Sequence, residues 1–239
     1  MFRKLCIIGL AFLMSSSIMT LTADAQDKVT GPWMWMIMPN SVACGADATH
    51  VDEIDEQTGG KLSEEDVAED GITPKVLRVK FKTGYEWTEG EIAVAGGNNL
   101  QLMLNDLRFG PAAPGVDLNS HCAYAVINAK SKKSVKDATA RVGSDDSVKV
   151  WVNGKEVHAN AVNRGAGDFQ DAFNVDIKVG DNVIMVKVCE CGGGWSMFFG
   201  IQADLDYNLK FEGWSVEPAD KLATQWGALK GLRNSNFKL

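Results

Sequence analysis

Period-two alternation of apolar and polar residues recurs along this chain and limits its fold more than any other feature. Leu77, Val79 and Phe81 alternate with Arg78, Lys80 and Lys82, and Ala138, Ala140 and Val142 with Asp137, Thr139 and Arg141. Val148, Val150 and Val152 flank Lys149 and Trp151, while Val175, Ile177 and Val179 alternate with Asn174, Asp176 and Lys178. Phe199, Ile201, Ala203 and Leu205 alternate with Gly200, Gln202 and Asp204. Side chains of a strand point to opposite faces in turn, so each stretch has one dry and one wet face. Several such stretches in one chain predict a mainly β fold: antiparallel sheets packed face to face, a β-sandwich of jelly-roll type with minor short helices.

Departures from the alternation locate the other elements. Trp33 to Met38 is apolar on both faces and bounded by Pro32 and Pro39, which predicts a buried strand; its two Trp read as core or as a sugar platform. Residues 47–71 are acidic and polar, an insertion with a helix over 63–70, where Ser63 and Asp66 form a capping box and Gly71 a stop. A second helix is predicted from Asn98 or Asn99 through Leu107, and a short amphipathic helix or packed tail after Pro218, carrying Leu222, Trp226 and Leu229.

The first residues read as an export signal. Arg3 and Lys4 precede a short apolar run, and Ala23-Asp24-Ala25 supplies the small-x-small cleavage pattern, so residues 1–25 are expected to leave before Gln26. The apolar run is too short for a membrane span, and none appears later. One β-sandwich domain is then expected over 26–215, with a tail over 216–239. The whole chain carries a net charge of −7, and losing the leader makes it more acidic, which argues against nucleic acid and anionic membranes as partners.

Beyond the leader lie Cys44, Cys122, Cys189 and Cys191, an even count that reads as two disulfides in an exported chain. Cys189 and Cys191 are too close in sequence to pair comfortably with each other. Cys122 opens a strand and Cys191 lies in a loop at the same expected end, which predicts Cys122–Cys191 and therefore Cys44–Cys189. The alternative is a zinc site that uses these thiolates with His121, although the spacing fits no standard zinc pattern.

Turn chemistry orients the sandwich. Asn153-Gly154 is a two-residue hairpin signal, and Gly180-Asp181-Asn182 a second tight turn. If successive strands are antiparallel, both turns lie at one end. The loops 143–147, 159–171 and 191–195, joined by 109–121, then gather at the other end, where a binding site is expected.

One segment carries a resemblance. Gly143-Ser144-Asp145-Asp146-Ser147 feeding Val148-Lys149-Val150-Trp151-Val152-Asn153-Gly154-Lys155 resembles a segment of galactose-binding-like jelly-roll modules. Its paired aspartates are similar to the Asp-Asp loop of the protective-antigen-type lectin domain of flocculin adhesins. The resemblance extends over about 124–205 and takes in Asn182 to Val188 and Gly192 to Phe198. The whole chain, tail 222–230 included, also looks like a group of short exported bacterial proteins without assigned activity. The lectin resemblance implies glycan binding assisted by a calcium ion on Asp145 and Asp146.

Each candidate residue has a plainer reading beside the functional one. Asp145 and Asp146 hold a hard cation, with Asp168, Asp171 and loop carbonyls completing it, or cap a turn through side-chain hydrogen bonds. Trp195, after three glycines, stacks on a sugar ring or closes the mouth of the sandwich. Trp151 is a platform or lies under the N-terminal segment. Arg164, Asp168 and Gln170 bond sugar hydroxyls or are solvated loop residues. No nucleophile elbow, His-Glu-x-x-His or phosphate loop is present, so a non-enzymatic role is expected. Two classes remain: a binding module for a glycan or polysaccharide, and a structural protein that assembles with other surface or matrix proteins.

Overall fold

The computed structural model describes residues 27–42, 44–110 and 117–211. The expected leader and the expected C-terminal helix lie outside the described residues. In chain order the elements are β1 (Trp33–Pro39), a 3-10 turn (Gly45–His50), α1 (Glu53–Thr58), α2 (Glu64–Asp70), α3 (Pro74–Arg78), β2 (Thr88–Gly90) and α4 (Asn99–Leu107). There follow β3 (His121–Ser131), β4 (Val135–Asp145), β5 (Ser147–Val152), β6 (Lys155–Asn160), β7 (Asp171–Ile177), β8 (Gly180–Cys189), β9 (Ser196–Ile201) and β10 (Leu205–Asn208). No helix among the described residues is long and apolar enough to cross a membrane.

The strands form an antiparallel β-sandwich. The larger sheet runs β2-β1-β3-β8-β5-β6, with β10 continuing along β3 beyond β1, and the smaller runs β7-β4-β9. Ala138, Ala140, Val142, Val175 and Ile177 of the small sheet and Val148, Val150 and Val152 of the large one are buried, as the alternation requires, whereas Val179, expected on the same dry face, lies beyond the end of β7 and is exposed. Trp33 and Trp35 are wholly buried, with their indole N–H groups donated to the Val29 and Gly90 carbonyls, so β1 is core and no sugar platform. Asn153 (φ 52°) and Gly154 (φ 78°) form the β5–β6 turn in the left-handed region that such a two-residue turn needs. Asn153 also meets Asn182 across 2.9 Å, so both tight turns do share one end.

Two expectations are corrected here. The alternation at 77–81 is no strand: Thr73 caps the Val76 amide, and Pro74 needs no N–H partner in a first turn, so α3 forms and Leu77 stays exposed. The disulfides are Cys122–Cys189 and Cys44–Cys191, the reverse of the expected pairing. Cys122 and Cys189 are direct partners in the β3–β8 ladder, with Cα atoms 4.0 Å apart, a register that turn positions alone do not reveal. All four thiols are thereby consumed, which removes the zinc alternative.

The outer face of the large sheet is not wet, because the 45–78 insertion lies on it. Lys149, Lys187 and Tyr124 stand in one cross-strand row on β5, β8 and β3. Two lysines directly opposite each other repel and would ordinarily open to water. Instead Glu64, at the start of α2, takes hydrogen bonds from Tyr124 Oη (2.7 Å) and Lys187 Nζ (2.9 Å) on one oxygen and from Lys149 Nζ (3.3 Å) on the other. Lys187 also donates to the carbonyls of Ala48 and Thr49, which saturates its ammonium. Trp151 is covered as well, with Lys149 Nζ 4.6 Å above its ring, so it lies under the insertion and is no platform. Glu64→Ala should therefore destabilise the protein by about 3–5 kcal/mol, since it leaves the buried Lys187 ammonium without its carboxylate partner and its neighbour Lys149 with Glu156 alone. Urea unfolding would check this, and a loss below about 1 kcal/mol would contradict the clamp.

Candidate functional site

The loops expected at one end do converge there. Asp145 ends β4 in the small sheet and Ser147 opens β5 in the large one, so Asp145 and Asp146 carry the chain across the mouth of the sandwich. Their connecting peptide is cis. Asp145 Oδ2 accepts the Ala166 amide (3.1 Å); Asp146 accepts the Arg164 amide on Oδ1 (2.8 Å) and the Cys191 amide on Oδ2 (2.8 Å). The carboxylates do not cap their own turn: they tie distant loops together through backbone amides, and they lie beside a third acid.

That third acid is Glu190, directly after β8. One carboxylate oxygen from each of Asp145, Asp146 and Glu190 lies within 4.8 Å of the others. Glu190 is fully buried, and among the described residues neither of its oxygens has a hydrogen-bond partner. Burial, then the charges of Asp146 and Asp145, pushes its carboxyl up to about 8; the nearby Gly192 amide, which does not reach hydrogen-bonding geometry, offsets this only in part. Burial and the Asp146 charge likewise push Asp145 up to about 6, against the lowering effect of the Ala166 amide. A buried, all-oxygen, triply acidic set of this kind fits a hard divalent cation such as calcium and offers no nitrogen or sulfur donor for zinc.

The other expected ligands are placed elsewhere. Asp168 is exposed and pairs with Lys28 Nζ at 2.7 Å. Asp171 turns away from the acidic trio and is held by Arg164 Nη1 and Nη2 (3.0 and 2.8 Å), Asn160 and His158. Burial would raise its carboxyl, but the hydrogen bonds from Arg164 and His158 and the Arg164 charge hold it below the usual range. Arg164 is therefore a strut between Asp171 and Ser144 Oγ rather than a free donor for a ligand. Gln170 spans the Ser144 amide and the Gly165 carbonyl. Glu190 escaped the sequence reading because an isolated acid after an apolar strand looks solvated. Its one signal is its position between two cysteines that bond to different segments.

Trp195 is the firmest correction. It is fully buried, with its amide donated to Asn98 Oδ1 (2.8 Å) and its carbonyl accepting the Leu100 amide (3.1 Å), so it closes the mouth beneath α4 and cannot stack on a sugar. Trp195→Ala should cost about 3–5 kcal/mol in stability by opening a cavity, measurable as a lowered urea midpoint; an unchanged midpoint would restore the exposed reading.

The acidic trio also sets a pH dependence. A carboxyl raised in the folded state binds its proton more tightly there than in the unfolded chain. Its contribution is full below the unfolded value near 4 and is lost as pH rises through the folded one. With Asp145 near 6 and Glu190 near 8, Tm measured in chelator should fall by about 5 °C or more from pH 5 to pH 9. In Glu190→Gln this fall should shrink; an equal fall in the variant would contradict the assignment.

No family model and no curated protein matches this chain. Among solved structures it is similar to the PA14 domain of the MpAFP antifreeze protein, at 11% identity over 80% of this chain and 88% of that one, with a TM-score of 0.37. It is also similar to the PA14 sugar-binding domain from an RTX adhesin, at 14% identity over 77% of this chain and 96% of that one, with a TM-score of 0.35.

Proposed function

We propose that this protein is an exported, non-catalytic glycan-binding module whose loop-rich end holds a calcium ion on Asp145, Asp146 and Glu190. The observation that carries this reading is Glu190, buried with both oxygens unpartnered beside two further carboxylates. Three acids so placed ionise together only around a cation, since without one burial and like charge keep the Glu190 proton in place, and oxygen-only donors suit calcium. Two of the ion's ligands sit in the segment 143–155 that resembles galactose-binding-like and flocculin-type modules. In those lectins the ion also ligates sugar hydroxyls.

The rim around the trio suits a weakly held polar ligand. Gly165, Gly192 and Gly193 expose backbone in the loops that meet the trio. Polar contacts without a buried aromatic anchor predict modest affinity for a saccharide. A hydrolytic role is disfavoured at this cluster, because glycosidase carboxylates stand farther apart and flank an open cleft. The two disulfides accord with export into an oxidising compartment.

The enclosure of the trio favours a second reading. Asp145 is 9% exposed, Asp146 7% and Glu190 0%, so the ion would serve as a staple for the loops of a surface-assembly protein. A glycan array with calcium and with chelator separates the two. Calcium-dependent binding that is lost in Asp146→Asn supports the glycan reading. A blank array together with a calcium-raised Tm supports the staple, and no response to calcium in either measurement defeats both.

A further inference from the structure

We propose that the Cys44–Cys191 disulfide is a thiol-exchange latch on the acidic site, opened by small external thiols while Cys122–Cys189 stays closed. Its effect on cation binding rests on the calcium reading above; its chemistry does not.

The two bonds differ in where they lie. Cys122 and Cys189 are 0% and 1% exposed, between two paired strands with ladder bonds running along them. Cys44 and Cys191 are both partly exposed and lie in loops, flanked by exposed Gly192 and Gly193 on one side and exposed Val42 on the other. Thiol exchange needs in-line access to a sulfur, so the loop bond is the more open of the two to attack.

What the loop bond joins gives the latch its consequence. It links segments 147 residues apart; Cys191 itself contacts Asp146, and Gly45, next to Cys44, lies close to it. The Cys191 amide donates to Asp146 Oδ2 at 2.8 Å. Gly45, directly after Cys44, is in the left-handed region (φ 58°), and a Cβ there would stand 3.4 Å from Asp146 Oδ2 and 2.1 Å from Asn163 Oδ1. Its carbonyl accepts Ser147 Oγ (3.0 Å), and the next amide, of Ala46, donates to Asn163 (2.9 Å). The bond therefore holds the 44–46 segment and the loop after β8 together beside Asp146 Oδ2. Without it, nothing covalent holds the 191–194 loop near the 44–46 segment, while the β3–β8 ladder is still bridged.

The exchange balances as follows. A thiolate RS⁻ attacks one sulfur of the pair, the S–S bond breaks, and the other cysteine leaves as a thiolate. A second thiolate RS⁻ attacks the external sulfur of the mixed disulfide, so RSSR departs and the remaining cysteine leaves as a thiolate; the two cysteine thiolates take up the protons given up when the two RSH ionised. Two thiols are oxidised to one disulfide, and Cys44 and Cys191 are reduced to thiols.

The test uses the mature full-length protein and reduced glutathione as the thiol. Free thiols are mapped by alkylation and mass spectrometry, amide hydrogen exchange is followed in chelator, and calcium affinity is measured by calorimetry. Cys44 and Cys191 should become alkylated on the order of tenfold faster than Cys122 and Cys189. The Cys191 and Arg164 amides should then exchange at least about tenfold faster, with the far-UV spectrum unchanged. Calcium affinity should fall by a similar factor, and Cys44→Ser with Cys191→Ser should reproduce both effects. Opening of Cys122–Cys189 first, or unchanged amide protection after Cys44–Cys191 opens, overturns the latch. Failure of the oxidised protein to bind calcium overturns the cation reading alone, and the latch is still decided by alkylation and exchange.

Discussion

The interaction on which the rest depends is the buried carboxylate of Glu64. The large sheet carries Lys149 and Lys187 as direct cross-strand neighbours, an arrangement that a bare sheet would tolerate only with both ammonium groups in water. Glu64 answers both at once and takes the Tyr124 hydroxyl as well. Burial and the Glu64 charge keep that phenol well above its ordinary value, while burial draws Lys187 below its own. A charge cluster of this kind adds little net stability over an apolar equivalent, but it has one satisfactory geometry. It therefore specifies where the insertion sits rather than how firmly the domain folds.

That placement reaches the far end of the sandwich. The chain that leaves β1 must pass Cys44 and the Gly45–His50 turn before it arrives at Glu64, and Lys187 holds that turn by its carbonyls on the way. Gly45 and Ala46 are then delivered against Asp146 and Asn163. The same strand that presents Lys187 ends at Cys189, and the next residue is Glu190. One rigid ladder thus sets the clamp, the core disulfide and the third acid of the trio at fixed spacing.

Legibility from sequence followed the physics of each feature. Alternation exposed β4 and β7 because their faces differ in polarity, and the Ser63–Asp66 box marked α2 because capping is local; the stretch at 199–205 instead covers only the end of β9, which is buried on both faces, and a bend before β10. The same cue failed at Leu77 and Val79, where Thr73 and Pro74, also local signals, outweighed it. It failed again at Lys149 and Trp151, whose face is polar in sequence yet covered in the fold. Asp145 and Asp146 were visible as an adjacent pair; Glu190 depends on strand register and on burial by distant loops, which no spacing encodes. Trp195 showed the converse: three glycines suggested an open loop, but the Asn98 side chain and the α4 amides draw the residue inward.

The two buried acidic centres make the final contrast. Glu64 meets three donors and needs nothing more, whereas Glu190 meets none among the described residues. Leaving a carboxylate in that state costs several kcal/mol unless a proton or a cation compensates it. Folded proteins keep such groups chiefly where a ligand supplies the missing charge. Asp145 and Asp146 are meanwhile fixed by amides from two separate loops, which hold both carboxylates in place beside Glu190. Pre-set donors lower the ordering cost of binding, and burial excludes water as a competing partner. The same sandwich therefore holds one acid whose charge is fully answered and one whose charge is left open, and the open one lies where the loops converge.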